Sequence, residues 1–220
     1  MSPEAVRKQI VDLIDRLLSS SISVKQFQPS VRIQQKGETW IGRRASTAIA
    51  LRDIPYDVAY NELEANDAYD VKLIDGGLLL LQYRFNEAGK LLQHRLGYFP
   101  SPALPTIDEA PGLYEQDELY GDIVAKRLVR FPIRFDYAPA DHKDVFHPAS
   151  HLTLGQYENC RIPVTGPVGP NSFGTFIVRN FYSRAYTKHK NTFDKSAPAL
   201  ERVECITSAE RRISHFVHAR

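Results

Sequence analysis

A chain of 220 residues, 43% hydrophobic and 25% charged, carries enough apolar material for one ordinary core and lacks the composition of a disordered chain. Its net charge of +2 is too small for binding to nucleic acid by bulk charge, although unevenly spread arginines leave room for a local basic face. Two cysteines, Cys160 and Cys205, exclude a disulfide-rich scaffold and a four-cysteine zinc site, and no apolar run approaches the roughly 20 residues that span a bilayer.

The first residues read as a helix start. Ser2 is an N-cap, Pro3 falls in the first turn and Glu4 sits near the positive end of the helix dipole. Val6, Ile10, Leu13, Ile14 and Leu17 then recur at helical spacing, predicting an amphipathic helix to about Leu18. Val24–Gln35 reads as extended, with Thr39–Arg44 pairing back across Lys36-Gly37. Trp40 reads as a core or rim anchor. Asp53–Ala65 is expected as a short helix with Pro55 in its first turn. A three-strand meander follows: Tyr69–Ile74, then Leu78–Phe85 after the turn Asp75-Gly76-Gly77, then Leu91–Phe99, stopped by Pro100.

Ala103–Gly112 is expected as loop and Leu113–Lys126 as partly helical. From Val129 the chain alternates with period two. Val129, Phe131, Ile133 and Phe135 form an apolar face; Arg130, Arg134 and Asp136 project from the other. Pro132 inside this run argues for an edge or a bulge. His151–Leu154 resumes a strand with His151 and Thr153 on one face, and Cys160–Val164 is extended. Asn171-Ser172 is expected to cap a helix running to Tyr182. Ser183–Ala197 is basic and expected as an exposed excursion. Leu200–Ile206 reads as a last strand. Thr207–Glu210 has capping-box spacing before a closing helix that buries Ile213, Phe216 and Val217. No repeat or composition break divides the chain, so residues 1–220 read as a single domain. A run of strands without alternating helices gives an α+β class, a mostly antiparallel sheet flanked by N-terminal, central and C-terminal helices. With no signal-like start, the expected location is cytoplasmic, without a membrane partner.

Several groupings bear on chemistry. His151-Leu152-Thr153-Leu154 resembles one half of the motif of two-histidine phosphodiesterases, but a second His-x-Thr is needed and none exists: His94 precedes Arg95-Leu96, and His189 precedes Lys190-Asn191. Asp136, Asp141, His142, Asp144, His147 and His151 crowd one window, yet their spacing matches no metal motif, so no metal ligand is assigned. Cys160 near His147 or His151 could form a thiolate nucleophile, with a buried structural thiol the commoner case. Tyr137, Tyr157, Tyr182 and Tyr186 near basic residues could stack single-stranded bases or simply pack. The window Arg179–Lys195 reads equally as a phosphate-contact patch and a solvated segment. Arg84, Arg95, Arg130, Arg134, Arg161 and Arg179 form the most informative set. The planar guanidinium fork suits phosphates, and His94 and His151 are the candidate catalytic proton carriers beside them. The competing reading pairs each arginine with an acid such as Asp136 or Glu158.

The runs His94–Pro102 (HRLGYFPSP), Arg134–Tyr137 (RFDY), His147–Gly155 (HPASHLTLG), Asn159–Val164 (NCRIPV) and Phe176–Tyr182 (FIVRNFY) resemble a bacterial family known as domain of unknown function 2290. The resemblance implies a bacterial cytoplasmic protein, with an accessory role in a mobile or genome-defence cluster. It implies no activity, so it assigns no catalytic residue. Two functional expectations follow. One is a protein that binds a phosphate-bearing ligand, nucleic acid above all. The other is a non-catalytic structural subunit docking on a larger protein partner in a multi-subunit system. Whether the protein is an enzyme, and with what cofactor, stays open at this level.

Overall fold

The computed structural model describes residues 1–34, 37–43, 54–125, 131–157, 159–195 and 203–218. The first helix, α1 (Pro3–Ser19), starts as its residues dictate: the Ser2 hydroxyl accepts the Ala5 N–H at 3.3 Å. Its apolar stripe, Val6, Ile10, Leu13, Ile14 and Leu17, is fully buried. Strands β1 (Ser23–Gln26), β2 (Val31–Ile33) and β3 (Thr39–Ile41) follow, then α2 (Tyr56–Ala65), which Pro55 caps from outside. The meander is β4 (Val71–Leu73), β5 (Leu78–Phe85) and β6 (Leu91–Phe99). Two short helices, α3 (Pro111–Glu115) and α4 (Asp117–Val124), lead to β7 (Ile133–Tyr137), β8 (Ser150–Leu154) and β9 (Ile162–Pro163). Helices α5 (Pro170–Phe181), α6 (Ser183–Lys188) and α7 (Lys190–Phe193) complete the elements that matter here.

Among the described residues the strands form one antiparallel sheet, ordered β1-β4-β5-β6-β7-β8-β9, with β3 also paired to β5 and β2 to β3. The fold is α+β. One sheet face carries Leu79, Leu81, Tyr83, Leu96, Tyr98, Ile133, Phe135 and Leu152, buried under α1 and α5. These two helices approach closely because Gly174 has no side chain: a Cβ there would lie 2.2 Å from Leu13 Cδ1. Among the described residues the opposite face is covered only at one end, where α2 sets Ala59, Tyr60 and Leu63 on Leu78, Leu80 and Phe99. This explains the mixed pattern of β5. Leu78–Leu81 is buried on both sides, and the alternation begins with Gln82, beyond α2.

Several expected elements differ. β7 begins at Ile133, after Pro132, and lies between β6 and β8 rather than at an edge. Pro132 therefore sits outside the ladder, its carbonyl accepting the Gly155 N–H at 2.7 Å. Phe131 is 44% exposed and leaves the apolar face assigned to it. Val129 and Arg130 lie outside the described residues, as do residues 200–202 of the expected last strand; residues 203–206 form no strand. The α5 cap is Gly169, with Pro170 at the first helical position. Ser183–Lys195 is largely helical, and Arg16 reaches from α1 to the Phe193 and Lys195 carbonyls, both at 3.1 Å. The Thr207–Glu210 capping box forms, with Thr207 N–H on Glu210 Oε2 and Glu210 N–H on Thr207 Oγ. It opens a single 3-10 turn, Glu210–Arg212, instead of a helix. The chain then runs beside Val164: Phe216 N–H bonds the Pro163 carbonyl and Thr165 N–H the Phe216 carbonyl, which holds it extended.

Candidate ligand site on the open sheet face

Beyond α2, the open face of the sheet is polar, and register places its residues in rows. Gln82 on β5 is opposite Arg95 on β6, Arg95 opposite Asp136 on β7, and Asp136 opposite His151 on β8. In the next row Gly97, Arg134 and Thr153 align. These rows floor a cavity of about 430 Å³, walled by the segments after β7 and β8, which bring Asp141, His147, Tyr157, Asn159 and Arg161.

Charge defines its chemistry. Arg95 Nε donates to Asp136 Oδ1 at 3.0 Å, both side chains being nearly buried. Arg95 Nη1 is also buried and has no hydrogen-bond partner among the described residues. Burial presses the Arg134 pKa below its usual value; Asp136 pulls it up, while Arg95 and Arg161 push it down. Asp136 is opposed by its own burial, yet Arg95, Arg134 and His151 hold its carboxyl below the usual range, so it is ionised. Three arginines thus face Asp136 within the cavity and Asp141 at its exposed edge.

His151 donates from Nδ1 to the Pro148 carbonyl at 2.9 Å, which leaves Nε2 as the lone-pair nitrogen, 3.9 Å from Asp136 Oδ2. Burial lowers its pKa, against the pull of Asp136. A neutral imidazole therefore offers a proton acceptor beside an aspartate that would stabilise its charged form. The ring of His147 stands edge-on to it, centroids 4.9 Å apart, and His147 Nδ1 is buried without a hydrogen-bond partner among the described residues.

The structure gathers Arg95, Arg134, Arg161 and His151 from the predicted set, and separates the others. His94 is a core residue on the helix-covered face, 1% exposed, with Tyr83 and Tyr137 against its ring; its Nε2 accepts the Val168 N–H at 3.0 Å, and burial drives its pKa down to about 3. A candidate proton carrier at a ligand site is thus corrected to a neutral structural histidine. Arg84 lies in an adjoining hollow with its guanidinium 5.4 Å from the Trp40 ring, and this hollow shares Gln93 and Arg95 with the cavity. Arg179 is exposed on α5, on the other side of the sheet, over Tyr186 at 5.9 Å. Arg130 and Glu158 lie outside the described residues. His147 and Tyr157, singled out in the sequence as a candidate metal ligand and a candidate stacking ring rather than with the arginines, join the same cavity, as does Asn159, which carried no signal.

The dense Asp/His window divides. Asp136, Asp141, His147 and His151 line the cavity. His142 and Asp144 turn instead to Glu210, all three offering ligand atoms within 4.8 Å of one another. Glu210 is already engaged by His142 Nε2 at 3.2 Å and Thr207 N–H at 2.9 Å, and Thr207 Oγ bonds Asp144 at 2.5 Å. This cluster ties the loop to the 207–212 segment. Cys160 and Cys205 are both free and outside the cavity lining, and burial pushes Cys205 up to about 11. Among the described residues no helix is long and apolar enough to cross a membrane.

Comparison with curated proteins and with solved structures returns no match. A family model does match: that of an uncharacterized conserved protein family, DUF2290, over residues 22–218. This span takes in every strand of the sheet and every residue lining the cavity. The chain belongs to the DUF2290 family.

Proposed function

We propose that the open sheet face binds a phosphate-bearing ligand, and that this ligand is a nucleic acid. The observation that carries the reading is the arginine cavity. Arg95, Arg134 and Arg161 converge from two strands and a loop on one concave space, and Arg95 keeps a buried N–H without a hydrogen-bond partner among the described residues. A buried guanidinium donor left unmatched costs stability unless a ligand accepts from it. Thr153, Asn159 and Gln93 add neutral donors, and His151 offers an acceptor at Nε2 for a proton from the bound group.

Binding of short fluorescein-labelled oligonucleotides, followed by anisotropy across a salt series, tests this. Affinity should fall as salt rises, with a log–log slope of roughly −0.7 per phosphate held on a single strand. Arg161→Ala should weaken binding about ten-fold at low salt and flatten that slope by roughly one phosphate's worth. Salt-independent binding, or an Arg161→Ala variant indistinguishable from the parent, would falsify the proposal.

One feature favours the docking reading. Among the described residues β2 pairs only with β3, and it exposes Val31 and Ile33 on that outer strand. Such an edge can accept a partner's strand. Co-purification of a stoichiometric partner, lost on Ile33→Lys, is the outcome that would favour docking.

A further inference from the structure

The cavity does not stand alone. On one side it shares Asp141, His147, Asn159 and Arg161 with a second hollow of about 540 Å³, lined also by Phe146. On the other side it shares Gln93 and Arg95 with the hollow holding Trp40 and Arg84. Polar and basic floor therefore runs from Arg84 through Arg95 and Arg134 to Arg161, longer than one phosphate group needs.

Aromatic rings stand along the same path. Tyr157 is 77% exposed and lines the cavity; Phe146 is 82% exposed and lines the second hollow. Large aromatic side chains left this open gain nothing from the core. Tyr157 is nonetheless held in place: its ring lies against Gly155, where a Cβ would meet Cδ2 and Cε2 at 3.2 and 3.3 Å. Gly155 has φ +74, so the turn that presents the ring also favours glycine for its backbone. At the far end Arg84 lies over Trp40, a guanidinium plane on an indole, and such a plane can itself stack on a base.

Resting on the proposed function, we infer that the ligand is a single-stranded nucleic acid, its phosphates on Arg95, Arg134 and Arg161 and its unpaired bases stacked on Tyr157 and Phe146. Bases within a duplex are stacked on one another and present only their edges, so they have no face to offer these rings. A mononucleotide can occupy the arginine cavity but has a single base to offer the two rings. A net charge of only +2 gives little long-range attraction, so affinity has to come from local contacts such as these.

The test compares single-stranded deoxyribo- and ribo-oligonucleotides, a hairpin duplex of the same composition, and a mononucleotide, by anisotropy or competition. Single strands of either sugar should bind at least ten-fold more tightly than the hairpin or the mononucleotide. Tyr157→Ala and Phe146→Ala should each weaken single-strand binding about ten-fold. Both side chains are exposed, so folding is unaffected, which circular dichroism checks, and Tyr157→Trp should keep or raise affinity. Equal affinity for the hairpin, or alanine variants that bind as the parent does, overturns the inference. In that event, continued loss of binding in Arg161→Ala would leave the phosphate reading standing; retention of binding in Arg161→Ala would remove both.

Discussion

Asp136 sets the electrostatics of the site from a single position. It pairs with Arg95 at 3.0 Å, draws the Arg134 pKa upward and favours the charged form of His151. Asp136→Asn should cost about 3 kcal/mol in a denaturant titration, since it leaves a buried guanidinium without its counter-charge. It should also move the His151 imidazole to a still lower pKa, read from its NMR titration, because burial then acts unopposed. Much of this neighbourhood is legible in sequence. Period-two alternation puts Arg134 with Asp136, and His151 with Thr153. The same rule puts adjacent His94 and Arg95 on opposite faces, so grouping them in one site went against the strand's own geometry. The Arg95–Asp136 pair is not legible, because the strand register joins residues 41 apart. Nor is His147, which lies in a segment with no period.

At the scale of elements, the contact between α1 and α5 turns on Gly174. Gly174→Ala would set a methyl 2.2 Å from Leu13 Cδ1, and should cost about 2 kcal/mol by thermal or chemical unfolding. Combined with Leu13→Ala, which removes the clashing methyls at a cost of its own, the two losses should be less than additive if the clash is the cause. Both helices are clear from their apolar spacing, but the need for Gly174 emerges only from how they cross. The segment after Glu210 shows the reverse: Ile213, Phe216 and Val217 have helical spacing, yet Ile213 and Val217 are exposed. Pairing of Phe216 with Pro163 and Thr165 wins over the local pattern. Phe131 fails similarly, since the alternation continues through Pro132 while the strand does not.

For the whole molecule, acid response reflects opposed buried groups. His94 is held to about 3, so between its ordinary value of 6.5 and that point the unfolded chain binds the extra proton. Its contribution is therefore full above pH 6.5 and declines as pH falls, by up to about 1.4 kcal/mol per pH unit. Asp136, depressed by its arginines, is lost in the same direction at lower pH. Asp70 opposes both: burial raises it to about 6, so between its ordinary 3.8 and 6 the folded state holds the extra proton. Stability should thus fall between pH 6.5 and 6 before Asp70 can offset it, and His94→Gln, which keeps an acceptor for Val168 N–H, should flatten that first decline in pH-dependent unfolding. His151, lowered by burial, adds to that decline and Asp75, raised by burial, opposes it, so the comparison with the variant is decisive: a His94→Gln chain whose midpoint falls as steeply as the parent's from pH 7.5 to about 6 would contradict the assignment.

The tie between the cavity wall and the 207–212 segment has a consequence for synthesis. Asp144 is fastened by Thr207, 63 positions downstream, and His142 by Glu210, 68 positions downstream. All strands of the floor have been made once β9 is synthesised, and the loop carrying His147 closes through its own bonds, Ala138 N–H to the Ala149 carbonyl and the Lys143–His147 pair, but its ties to the 207–212 segment wait for those residues. A nascent chain arrested before that point lacks the two ties that fasten the His142–Asp144 turn to the rest of the molecule.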